Sequence, residues 1–108
     1  MGKFIVSTRT NGELQFKLQA GNGQTILSSE GYSSKSACQN GIDSVKTNSQ
    51  DDSKFDKLTA SNGKPYFVLK AGNGQVIGTS QMYADEAGRD NGISSVQENA
   101  KDAEVVEE

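Results

Sequence analysis

The chain has 108 residues, 32% of them hydrophobic, with 12 glycines, one cysteine, no histidine and a formal net charge of −3. That length makes one ordinary domain whose core needs neither disulfide nor metal to fold. The missing histidine excludes imidazole acid–base catalysis, Ser-His and Cys-His nucleophiles and His-bound metals, and the lone cysteine excludes a thiolate cluster.

The first element is a strand over Phe4-Ile5-Val6-Ser7-Thr8. Its apolar run is too short for the hydrophobic region of a signal peptide. No stretch of membrane-spanning length follows, and a single Cys38 fits a reducing compartment, so a cytoplasmic protein is expected, with no membrane contact. Asn11-Gly12 then leads into a second strand, where Leu14, Phe16, Leu18 and Ala20 alternate with Gln15, Lys17 and Gln19. Such a strand is half-buried, apolar on one face and polar on the other. Asn22-Gly23 leads into a third strand over Gln24 to Ser28. Asn-Gly between two strand patterns predicts tight hairpins with positive φ at both turn residues.

Ser34 is a good N-cap for the helix that comes next, and Ala37, Cys38, Gly41, Ile42 and Val45 make a narrow apolar stripe behind it. Gly41 costs helix stability, and the spacing favours close packing over a backbone exposed to ligand. Tyr32, just before the helix, is expected to pack its ring under the helix start and send its hydroxyl to water.

Shifted by 51 positions, the chain then repeats itself without a gap: Asn11-Gly12 falls on Asn62-Gly63, residues 20–24 on residues 71–75, Tyr32 on Tyr83, and Asn40-Gly41-Ile42 on Asn91-Gly92-Ile93. Two copies are too few for a solenoid, so each must complete the core of the other. The expectation is one domain over 1–108, with a first copy at about 1–51 and a second at about 52–108. In the second copy Pro65, Phe67, Leu69 and Ala71 face inward and Tyr66, Val68 and Lys70 outward. Asp85 caps a helix whose stripe is Ala87, Gly88, Gly92, Ile93 and Val96. Residues 104–106 are expected to add a short edge strand. The fold class is therefore α+β: two tandem β-β-β-α copies forming one mainly antiparallel sheet, with two helices packed on one face.

The motifs that invite chemistry read better as structure. Gly21-Asn22-Gly23 lacks the downstream Gly-Lys-Ser/Thr of a phosphate loop and precedes a strand, so it is a turn. Asp51-Asp52 is a solvated linker, and Asp85-Glu86 suits a helix N-terminus. Cys38 lies on the apolar stripe and reads as a small core residue. No catalytic residue, metal ligand or cofactor is expected. The outward row Gln15, Lys17, Gln19, Tyr66 and Lys70 is the candidate binding face. One aromatic among its cations is thin support for nucleic acid, and an acidic chain gains no general phosphate attraction. A non-enzymatic binding or structural module is the favoured reading, with a protein or small-molecule partner. A weak nucleic-acid association through the same face is the alternative.

Residues 16–23, Ile26, residues 29–35 and residues 40–48, with their counterparts at 69–74 and 91–96, resemble the YegP-like family of small uncharacterised proteins. The resemblance spans nearly all of the chain except its acidic tail. It implies a β-β-β-α repeat, with two repeats sharing one sheet and exchanging terminal strands. It also implies an internalised dimer, and hence a monomer. It implies no activity, substrate or catalytic residue.

Overall fold

The computed structural model describes residues 2–108. Strands β1 (Lys3–Thr8), β2 (Leu14–Gln19) and β3 (Thr25–Ser28) precede helix α1 (Lys35–Asn48). Strands β4 (Phe55–Thr59), β5 (Pro65–Lys70) and β6 (Val76–Thr79) precede helix α2 (Glu86–Ala100), and β7 (Glu104–Glu107) ends the chain. All seven strands join one sheet in the order β4-β5-β6-β3-β2-β1-β7. Every pairing is antiparallel except that of β7 with β1.

The two copies meet at the centre of the sheet, where Ser28 of β3 pairs with Thr79 of β6. These residues are counterparts under the 51-residue shift, so a pseudo-two-fold axis runs through this pair. Both helices lie on one face and reach across that axis: α1 packs on β2, β5 and β6, and α2 on β1, β2, β3 and β5. Phe4, Phe16, Leu18, Leu27, Phe67, Leu69, Ile42, Val45 and Val96 form one continuous interior beneath them. Each copy therefore covers part of the other's apolar surface, which is the main driving force for folding.

Ser34 and Asp85 cap their helices as expected, accepting from the amides of Ala37 and Gly88. In β1, Phe4 and Val6 face the helices. The turns differ from the expected two-residue type. Among the described residues none other than glycine has positive φ, while Gly12, Gly23, Gly63 and Gly74 lie at 84 to 88°. In the β2–β3 turn Gly23 N donates to Ala20 O and Ala20 N donates to Gln24 O, both at 2.9 Å. This is a three-residue loop with glycine alone in the left-handed region. Asn22 keeps ordinary φ because its side chain serves the turn instead, accepting from Gln24 N at 3.0 Å.

The mid-helix glycines pack closely, against a tyrosine. A Cβ on Gly41 would lie 2.7 Å from Tyr32 Cζ, and one on Gly92 would lie 2.6 Å from Tyr83 Cζ. Each tyrosine ring stacks on a core phenylalanine, Tyr32 on Phe16 and Tyr83 on Phe67. The hydroxyl of Tyr83 is thus driven beneath α2 and not into water, and it is buried without a hydrogen-bond partner. Two further departures lie in α2, where Ala87 of the expected stripe is exposed and Arg89 is buried.

Strand exchange runs one way. β7 from the second copy lies beside β1 of the first, secured by Lys3–Glu104 and Lys35–Glu107 ion pairs. Residues 53–56, the counterpart of β7, are already spent on a 3-10 turn (Asp52–Lys54) and the start of β4, so among the described residues no strand pairs outside β4. Around that vacancy the second copy has changed three uncharged residues to charged ones and reversed the charge of a fourth. Lys57, Glu86, Arg89 and Asp90 stand where the first has Val6, Lys35, Cys38 and Gln39. They form a cluster, with Lys57 and Arg89 each 3.2 Å from Asp90 and Arg89 3.6 Å from Glu86. Lys57 and Arg89 hold the Asp90 carboxyl below its ordinary range, Lys57 most strongly. Charge turned toward an edge strand is a known protection against strand addition.

Candidate functional site

The face opposite the helices carries no covering element. Cross-strand register sets one row over it: Val106, Ile5, Lys17, Ser28, Thr79, Val68 and Asp56. Residues directly opposite in neighbouring strands share a face, so this row spans all seven strands. All five candidate residues lie on this face, but in two groups. Gln15, Lys17 and Gln19 stand on β2, and Tyr66 and Lys70 on β5. Strands β3 and β6 separate them, which is three strand spacings or roughly 14 Å.

The two groups differ in character. In the first copy Gln15 is held by Arg9 Nε at 2.7 Å, and Lys17 is exposed with no ion-pair partner among the described residues. In the second copy Lys70 pairs with Asp56. Tyr66 stands opposite Leu58, itself 37% exposed, and Val68 is buried between them and the next row. One half is thus polar and cationic at Lys3 and Lys17, and the other presents Leu58 and the ring of Tyr66.

Burial, and then Glu107, push the Cys38 thiol up, which disfavours the thiolate that a nucleophile needs. Burial also raises Tyr32, helped by Glu30 and Cys38. Among the described residues no group of three His, Cys, Asp or Glu side chains is placed to hold a metal. None of the described helices is long and apolar enough to cross a membrane.

Sequence reasoning missed Ser29 and Ser80. Their hydroxyls accept from Phe16 N at 2.9 Å and Phe67 N at 3.0 Å, continuing the ladder where β3 and β6 diverge from their neighbours. The signal was present, since both serines recur at the 51-residue shift. It also missed a cleft between the β2–β3 turn and α2, lined by Gln24, Ile26, Gln81, Tyr83, Asn91 and Ser95 among others.

The sequence matches relatives over most of its length. A UPF0339 protein in the ptx operon 5′ region of Stutzerimonas stutzeri is 53% identical over 98% of this chain and 96% of its own. UPF0339 protein YegP of Escherichia coli K12 is 51% identical over 91% of this chain and 89% of its own. The solution NMR structure of a UPF0339 protein from Shewanella oneidensis superposes with a TM-score of 0.92 at 51% identity, covering 98% of this chain and 90% of that one. That of yegP from E. coli, a protein of unknown function, gives 0.93 at 48% identity, covering 98% and 91%. The family described as Domain of unknown function (DUF1508) matches twice, at residues 10–56 and 60–107, so the chain is a two-repeat member of the DUF1508 family, to which the UPF0339 and YegP proteins are its relatives.

Proposed function

We propose that this chain is a non-catalytic binding module that meets a protein partner through the open face of its sheet, acting as a cytoplasmic monomer. The observation that carries the reading is the uncovered second-copy half, where Leu58 and the partly exposed ring of Tyr66 place apolar surface, with the unpaired cation Lys17 about 14 Å away across the same face. Aromatic and apolar anchors rimmed by polar groups are the usual makings of a protein contact. The closed charge cluster outside β4 and the occupied edge at β1 support the one-chain state.

Amide shifts in ¹⁵N-labelled chain test it. Titration with fractionated cytosolic protein is expected to move Lys17, Tyr66 and Val68 together. Movement confined to the helix face contradicts the reading. A response of Lys3, Lys17 and Lys70 to single-stranded oligonucleotide at low salt favours the nucleic-acid alternative.

A further inference from the structure

Internal duplication shows which side chains have been kept twice. Five Asn or Gln pairs recur at the 51-residue shift: Asn11/Asn62, Asn22/Asn73, Gln24/Gln75, Asn40/Asn91 and Asn48/Asn99. Three pairs have work inside the chain. Asn11, Asn22, Asn62 and Asn73 each accept a turn amide with the side chain. Asn48 and Asn99 donate to the carbonyls and hydroxyls of Ser44 and Ser95. The side chains of Gln24, Gln75, Asn40 and Asn91 make no hydrogen bond among the described residues and are exposed. Folding therefore gives no account of why they are kept.

Gln24 of the first copy and Asn91 of the second line the same cleft, a cavity of about 310 Å³ between the β2–β3 turn and α2. Its other polar groups are Asn22, Gln81, Ser95 and Tyr83, and its apolar floor includes Ile26 and Gly92. No lining residue is charged. Tyr83 lines the cleft while its hydroxyl, buried beneath Gly92, has no hydrogen-bond partner. Gln81 nonetheless lies close enough to oppose the rise in pKa that burial gives this hydroxyl.

These features select a ligand class. A phosphate or carboxylate would find no cation among the lining residues. A nucleobase would find no open stacking platform, because Tyr83 lies on Phe67 at 6.2 Å and its ring is packed beneath Gly88 and Gly92 of α2. A peptide strand would find no free backbone, since Ala20, Gly23 and Gln24 spend their amides within the turn. What remains is a compact neutral molecule with several hydroxyls and a C–H face. The volume is near the lower end of ligand pockets. We propose that this cleft binds a small neutral saccharide, with the amides of Gln24 and Asn91 reading its hydroxyls across the junction of the two copies.

The counterpart position, between the β5–β6 turn and α1, keeps Gln75 and Asn40 but has Glu30 in place of Gln81. It serves as an internal control. The full chain, ¹⁵N-labelled, is titrated with aldohexoses, aldopentoses and their disaccharides into the tens of millimolar. The expected result is saturable, concerted movement of the side-chain amides of Gln24 and Asn91 and the backbone amides of Gly88 and Gly92. The Gln24→Ala/Asn91→Ala pair should weaken this at least about tenfold without shifting the unfolding midpoint. Gln75→Ala/Asn40→Ala should leave it unchanged. The proposal is overturned if no saccharide gives saturable shifts there, or if the first double variant binds as well as the original. A response at these residues to nucleosides or dipeptides alone would overturn it too.

Discussion

Leu27 fills the space that a side chain on its own counterpart, Gly78, would need. A Cβ on Gly78 would lie 2.7 Å from both Cγ and Cδ2 of Leu27. The two residues are related by the 51-residue shift and flank the Ser28–Thr79 pair on the pseudo-two-fold axis. A perfectly symmetric pair of leucines would collide there. The duplicated chain resolves the crowding by making one copy the knob and the other the hole. Gly78→Leu is therefore expected to cost at least about 2 kcal/mol through overpacking, and Leu27→Gly about 3 kcal/mol or more through the cavity left behind. Combining the two should recover much of the loss, because knob and hole merely change sides. Urea unfolding of the four proteins in a double-mutant cycle measures the coupling.

Gly92→Ala reverses the usual sign of its substitution. In an exposed helix interior the change gains about 1 kcal/mol. Here the new methyl would meet the Tyr83 ring, so a net loss of about 2 kcal/mol is expected. Gly41→Ala should behave alike against Tyr32. Chemical denaturation reads both, and a gain in stability would show that the ring moves aside freely.

Burial raises the pKa of Tyr32 and Tyr83 above 10.0. Their protonated forms are favoured in the folded state. The stability they contribute is fully present below pH 10 and is lost as pH rises through the folded values. Unfolding midpoints should therefore fall on the alkaline side of pH 10, with tyrosinate absorbance appearing alongside. Tyr83→Phe removes a buried hydroxyl that has no partner, so at neutral pH it should be neutral or stabilising by about 1 kcal/mol. It should also lessen the alkaline loss.

Lys57→Val with Arg89→Cys restores first-copy residues beside the vacant edge of β4. Without the charges the edge becomes a strand acceptor. Sedimentation velocity should show concentration-dependent association of this variant and none of the original chain. A monomeric variant would mean that the cluster does not guard the edge.

Much of the fold was legible because the sequence states it twice. Alternation at Leu14, Phe16 and Leu18 fixed the inward face of β2. Ser34 and Asp85 marked both helix starts, and the shift itself pointed to β7. The turn type was not legible, since Asn-Gly is compatible with two loop lengths and only the ladder decides between them. Arg89 was not, because Cys38 holds its place in the first copy, and only the strand order shows that β4 lacks the neighbour that β1 has in β7. As for the candidate face, alternation placed its residues on the correct side but could not supply the strand order that splits them. The cleft escaped because its two halves come from different copies, about 67 residues apart, and only packing of α2 on β3 brings Gln24 to Asn91.

The account rests on each copy being unable to close its own core. Residues 1–51 and 52–108, produced separately and studied by circular dichroism with sedimentation equilibrium, test that most directly. Each should be unfolded or self-associated alone, and an equimolar mixture should regain the helical signal and one-to-one stoichiometry. A fragment that is folded, cooperative and monomeric by itself would contradict it.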